Sequence, residues 1–144
     1  MESIDRFFGT LRTAATALSA ERVRMGVIAE NIAGAQVTRT PEGGPYRRKL
    51  VVFEPLLRQG QQGPEVRGVR AARIENDTNS QFVEIYDPGH PDADPDSGKV
   101  LMPNVNTLSE MADLITSMRA YEANLATQEG FVRLAQRALE FARS

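Results

Sequence analysis

The residues best equipped for chemistry crowd into one stretch: Asp87, His90, Asp92, Asp94 and Asp96. Carboxylates at alternate positions suggest a Ca²⁺ loop, because a hard divalent cation gathers several oxygens. The template fails in detail. With Asp92 at position 1, the glycine needed at position 6 is Ser97 and the bidentate glutamate needed at position 12 is Pro103. Pro88, Pro91 and Pro95 also stiffen the run. The expectation is a solvated acidic turn with no metal. His90 is the single histidine and there is no cysteine, so a Ser-His or Cys-His pair could draw on His90 alone, and Cys-ligated zinc is excluded. His90 reads as a loop histidine in a turn. Gly43-Gly44-Pro45 lacks the helix start and the lysine of a phosphate loop. Arg47-Arg48-Lys49 could meet phosphate, but it leads into Leu50–Phe53 and reads as a charged strand start. No catalytic residue, metal or cofactor is assigned.

The elements that position these residues follow from composition and pattern. A chain of 144 residues and 15.9 kDa is one domain, or a small domain with helical arms. Hydrophobic residues are 41% and charged residues 25%, which excludes disorder by composition and membrane embedding. A net charge of −2 argues against a polybasic nucleic-acid or membrane-surface binder. Thr13–Ala20 is the longest uncharged stretch near the start, far short of the ~20 apolar residues of a membrane span. Glu2, Asp5 and Arg6 precede any apolar run, the wrong charge order for a Sec signal peptide. The expectation is a cytosolic chain, or one exported without a cleaved signal.

All eight prolines lie between Pro41 and Pro103. Proline costs a helix interior ~3 kcal/mol, so the proline-free ends predict two long helices around an irregular or β insert. The fold class expected is mainly α with a small β insert, the terminal helices forming a coiled-coil core. The divisions are a helical arm over 1–35, a proline-rich β and loop segment over 36–106, and a second helical arm over 107–144. In the first arm Leu11, Ala15, Leu18, Met25, Ala29 and Ile32 follow a four-three spacing, with Arg22 in the polar slot. Phe7, Phe8, Ala14 and Ile28 widen this stripe, and the helix should end near Asn31–Gly34. In the second arm Met111, Met118, Leu125, Val132 and Leu139 recur every seven residues. Leu114, Tyr121, Ala135 and Ala142 form a neighbouring row, interrupted by Gln128, and Leu108 and Ile115 extend the apolar face. Thr107 with Glu110 fits a capping box. A helix of ~35 residues is roughly 50 Å long. A globule of this size is only about 30 Å across. Its own chain therefore cannot wrap that helix, except with the first arm.

In the middle, Leu50–Phe53, Val69–Ile74, Phe82–Tyr86 and Val100–Met102 are strand candidates. Gly43-Gly44-Pro45, Gly60–Pro64 and Pro88-Gly89 are turn signals, and Arg58–Gly63 reads as a variable loop. Residues 39–73 hold eight Arg or Lys and three acids, whereas residues 74–98 hold seven acids and no Lys or Arg. The two halves could pair within a chain or between chains. The heptad rows could close an intramolecular hairpin or form an assembly surface, and the length of the second helix favours additional partners. The expected assembly interface is Leu11, Leu18, Met25, Ile32, Met111, Leu114, Met118, Tyr121, Leu125, Val132 and Leu139. A soluble coiled-coil adaptor that binds a partner helix is the alternative; an enzyme built on His90 is more distant.

Several motifs resemble the flagellar rod and hook axial proteins. The run from Asn31 through Ile32, Ala33 and Gly34 to Thr38 and Thr40 is similar to their Asn-Ile-Ala-Asn-Ala-x-x-Thr pattern, with Gly34 in place of the second asparagine. Glu42–Arg48 before Val51-Val52-Phe53 adds to the likeness, as do Tyr86, Asp87, Pro88, Gly89, His90 and Pro91, then Pro103, Asn104 and Asn106, then Tyr121, Glu122 and Asn124. The resemblance spans almost the whole chain in order. It implies a structural subunit of the proximal rod in the periplasm, not an enzyme, exported by the flagellar type III apparatus without a cleaved signal. It also implies terminal helices packed into a tube, and as partners further copies of the chain, FlgB, FlgF, FlgG, the junction protein FliE and the membrane ring FliF, with no nucleic acid and no small-molecule substrate. The absence of cysteine suits a chain that passes unfolded into an oxidising compartment.

Overall fold

In the computed structural model, residues 2–60 and 63–143 are described, with side chains over 8–60 and 63–141. Two long helices flank two hairpins. Helix α1 spans Glu2–Gly34 and helix α2 spans Thr107–Arg143. Between them lie the strands β1 (Lys49–Gly60) and β2 (Gly63–Asn76), then β3 (Val83–Tyr86) and β4 (Lys99–Met102). Each consecutive pair forms its own two-stranded antiparallel sheet. The expected mixture of helix and β insert is borne out. The strand candidates fall inside observed strands except for Phe82, which precedes β3, and the first two grow into a long ribbon. Pro55 and Pro64 lie within it, which is tolerated because both strands of a two-stranded ribbon are edges. Arg58–Gly60 and Gly63 are therefore strand and not loop, while 61–62 fall outside the described residues.

Helix α1 stops where expected, because Gly34 lies under the ring of Tyr46. A Cβ on Gly34 would come within 2.6 Å of that ring, so neither asparagine nor any other side chain fits there. The chain then turns, with Val37 N–H donating to Gly34 O at 3.1 Å and Tyr46 N–H to Val37 O at 2.8 Å.

The ribbon runs along α1. At one end the Asn31 amide binds the backbone of Lys49. Further along, Thr16 Oγ1 accepts from Val69 N–H at 3.2 Å and the Thr13 hydroxyl donates to Arg67 O at 3.2 Å. Gly68 lets the backbones approach, since a Cβ there would lie 2.3 Å from Thr16 Oγ1. Two register shifts, after Val52 and after Leu56, bend the ribbon to follow the helix.

Helix α2 starts at Thr107, but its cap is the residue before. Asn106 Oδ1 accepts from Ser109 N–H at 3.1 Å, and Asn106 O accepts from Glu110 N–H at 3.0 Å. The capping box expected from Thr107 and Glu110 is not formed, because the Glu110 carboxylate is engaged elsewhere. The two helices pack antiparallel: Asn31 meets Glu110, and Arg24 lies 3.7 Å from Asp113. The apolar core is small, comprising Ala14, Ala20, Val27, Ile28 and Val100.

Candidate assembly surface

A buried polar cluster fixes the ends of α1 and α2 against β1. Glu110 and Asn31 are each 1% exposed. Isolated charges at such depth are costly, so Glu110 requires partners. Arg48 Nε donates to its Oε1 at 2.6 Å and Asn31 Nδ2 to its Oε2 at 3.0 Å. Asn31 also donates to Lys49 O at 2.9 Å, while its Oδ1 accepts from Lys49 N–H at 2.8 Å and from the Tyr46 hydroxyl at 3.0 Å. Burial, with Glu30 and then Glu110 nearby, pushes the Tyr46 phenol up to about 12. Asn104 completes the arrangement. Its Oδ1 accepts from Arg48 N–H at 2.7 Å and its Nδ2 donates to the carbonyls of Asp77 and Ser80, each at 3.1 Å. The Asp77 carboxyl is held below the usual carboxylate range, first by the Ser80 hydroxyl, then by the Ser80 and Asn79 N–H groups, with Arg48 adding attraction against the cost of burial.

This cluster gathers motif residues far apart in sequence, and the part that Arg48, Tyr46, Asp77 and Glu110 play in it was not read from the sequence. Arg48, read as part of a charged strand start, is the counter-ion of Glu110. Tyr46 and Asp77 had no assigned role. A usable signal existed for Glu110: a carboxylate placed between the apolar positions Leu108 and Met111 at the start of a helix.

The acidic turn is committed to its own structure. Asp87 Oδ1 accepts from Gly89 N–H at 3.2 Å, His90 Nδ1 from Asp92 N–H at 3.1 Å, and Asp94 Oδ1 from Asp96 and Ser97 N–H at 3.0 and 2.8 Å. Asp92 binds the Thr38 hydroxyl at 2.8 Å and Arg39 Nε at 3.0 Å. Pairing of the basic and acidic segments thus occurs partly within the chain. Among the described residues no three His, Cys, Asp or Glu side chains are placed to hold one metal ion. Tyr86 is exposed but its ring, with Pro88, covers Gly98, which has φ +65° and no room for a side chain.

The helices present their apolar rows unevenly. In α1 the buried side carries Ala14, Ala20, Val27 and Ile28, whereas Leu11, Leu18, Met25 and Ile32 are half-buried and Phe8, Ala15, Ala29, Ala33 and Arg22 are exposed. In α2 the half-buried side carries Leu114, Tyr121, Asn124, Gln128 and Ala135, around the fully buried Ser117. The regular row lies on the other side. Met111, Met118, Leu125, Val132 and Leu139 are all exposed, from 39% at Leu125 to 66% at Leu139, as are Leu108, Ile115 and Glu122. An in-chain pairing of this row with the row from Leu11 to Ile32 does not occur. The reason is polar: Glu110 and Asp113 must face Arg48 and Arg24, and that rotates the seven-residue row away from α1. The side chains of Phe7 and Ala142 lie outside the described residues.

Comparison with known proteins gives the family. Residues 11–39 match the family described as flagella basal body rod protein, and residues 96–127 match the flagellar basal body rod FlgEFG protein C-terminal family. The flagellar basal-body rod protein FlgC of Borreliella burgdorferi is 42% identical, over 81% of this chain and 85% of that protein. The chain belongs to the FlgC family of flagellar basal-body rod proteins. The FlgC of Bacillus subtilis is 38% identical over 92% of this chain and 96% of its own, and that of Salmonella typhimurium 40% over 78% and 80%. The protein is accordingly a structural subunit of the flagellar basal-body rod and not an enzyme, and its place is the basal body. The two family-matched segments contain Asn31, Asn104 and Glu110, so three members of the buried polar cluster lie in them. No helix among the described residues is long and apolar enough to cross a membrane.

Proposed function

We propose that the chain forms the proximal rod by helical stacking, with α1 and α2 as the tube wall in coiled-coil-like contact with neighbouring subunits. The observation that carries this is the apolar row from Met111 to Leu139, exposed at every seventh position along roughly 40 Å of α2. A solvated face of that length loses stability in water and gains it when covered. Leu11, Leu18, Met25, Ile32, Leu114 and Tyr121, half-buried in one chain, complete their burial on assembly. The three divisions, 1–35, 36–106 and 107–144, act as two wall-forming arms and an outward lobe. FlgB, FlgF, FlgG, FliE and FliF are the neighbours this placement implies. Delivery through the flagellar type III apparatus, without a cleaved signal, brings the chain to the periplasm.

Leu125→Asp tests the reading. The residue is exposed in one chain, so the helices should still form. In a stack the aspartate would be buried without a partner, a cost of several kcal/mol at each interface. Purified Leu125→Asp protein should keep its helicity, while cells carrying it as their sole copy should lack rods by electron microscopy. Intact rods would refute the role of this row.

A further inference from the structure

We infer that the exposed row of α2 seats on α1 of a second copy of this chain, antiparallel, with Glu122 of one copy opposite Arg22 of the other. The inference rests on the proposed assembly role of that row and names its partner. The outward side of α1 carries Ala15, Ser19, Arg22, Gly26, Ala29 and Ala33, all exposed and spaced four, three, four, three, four. One long charged side chain interrupts a surface of small ones. The outward side of α2 is the converse: bulky apolar residues interrupted by the carboxylates of Glu122 and Glu129, the second of which is paired with Arg133. Among the described residues neither Arg22 nor Glu122 makes an ion pair, so these two side chains are unneutralised charges of opposite sign.

Polarity and register follow from the fold. The helices are antiparallel within the chain, so copies stacked with a common direction place α1 antiparallel to a neighbour's α2. Setting Arg22 opposite Glu122 then puts Ser19 opposite Leu125, Gly26 opposite Met118, Ala29 opposite Ile115 and Ala33 opposite Met111. From Met111 to Leu125 each large apolar side chain meets a small one, as knobs require holes, while beyond that stretch Glu129 falls opposite Ala15 and Val132 opposite Arg12, so the fitted part of the interface is the half nearer Glu110. The parallel alternative sets Ser19 against Arg119 and Ala33 against Arg133. Gly26 supports the same conclusion. A mid-helix glycine weakens a helix. Yet beyond the adjoining turns of its own helix, no atom of the described residues comes within 4 Å of a Cβ built on Gly26, so no packing in a single copy requires it. Room for Met118 of a neighbour would. An interface between two different faces of one molecule propagates and does not close as a dimer does.

The test is a charge exchange in cells whose own gene is deleted. Arg22→Glu and Glu122→Arg should each lower the number of assembled rods about tenfold or more, because like charges facing one another oppose association. The double variant should restore rods towards the native count. Independently, Ala29→Cys and Ile115→Cys carried on separate copies should form a disulfide-linked dimer in isolated basal bodies, with no native cysteine to confuse the result. A double variant no better than the singles, with no such dimer, overturns the pairing. If Leu125→Asp still abolishes rods in that case, the α2 row remains an assembly surface with another partner; if it does not, both readings fall.

Discussion

Glu110, Arg48 and Asn31 form an ionic contact in a place where water does not help. Replacing such a pair with apolar residues is often tolerated, but removing one partner is not. Arg48→Met should therefore lower stability by about 3–5 kcal/mol, because the buried Glu110 carboxylate loses its counter-ion. The check is the urea midpoint of the purified chain. Adding Glu110→Gln should recover part of the loss, since a neutral amide is cheaper to bury than a lone carboxylate. Equal midpoints for the single and double variants would mean that the guanidinium and carboxylate are not coupled. The value of this contact is specificity as much as strength. It sets which side of α2 faces α1, and so which apolar row remains available to neighbours.

At the level of elements, the ribbon of β1 and β2 is held to α1 by close backbone approach more than by a large core. Gly68 sits against Thr16, and Thr16 accepts from Val69 N–H. Gly68→Ala forces these apart, at a cost of roughly 1–3 kcal/mol for overpacking. Denaturant unfolding measures that cost, and proteolysis within the ribbon should quicken; an unchanged midpoint would show the ribbon free of the helix. Much of this architecture was legible beforehand. Proline placement bounded both helices, and the four strand candidates were found from their β-branched and aromatic residues. The ribbon's length was not, because Pro55, Gly60 and Pro64 are breakers in a central strand and tolerable in an edge. The cap was displaced by one residue because Asn106 and Thr107 are both good caps, and only the fate of Glu110 decides between them. Of the assembly row, periodicity revealed the residues and not the direction they face. Facing was settled by charge pairs that are remote in sequence, and a pattern of apolar residues carries no information about those.

At the scale of the molecule, the fold leaves its best-ordered apolar surface uncovered, which suits a part made to be stacked. The polar contacts described between α1 and α2, at Asn31 with Glu110 and Arg24 with Asp113, sit where the first helix ends and the second begins. Helix α2 is thus riveted at its start, whereas α1 is held further along by the ribbon as well. Amide hydrogen exchange in the free chain should be slowest beside Ile28 and Ser117 and should quicken steadily toward Leu11 and Leu134, since cooperative opening starts where packing is thinnest. Uniform protection along both helices would contradict it. Riveted at its start, α2 holds Leu134 and Leu139 in water at its far end, 63% and 66% exposed, and a stacked neighbour is what would dry them.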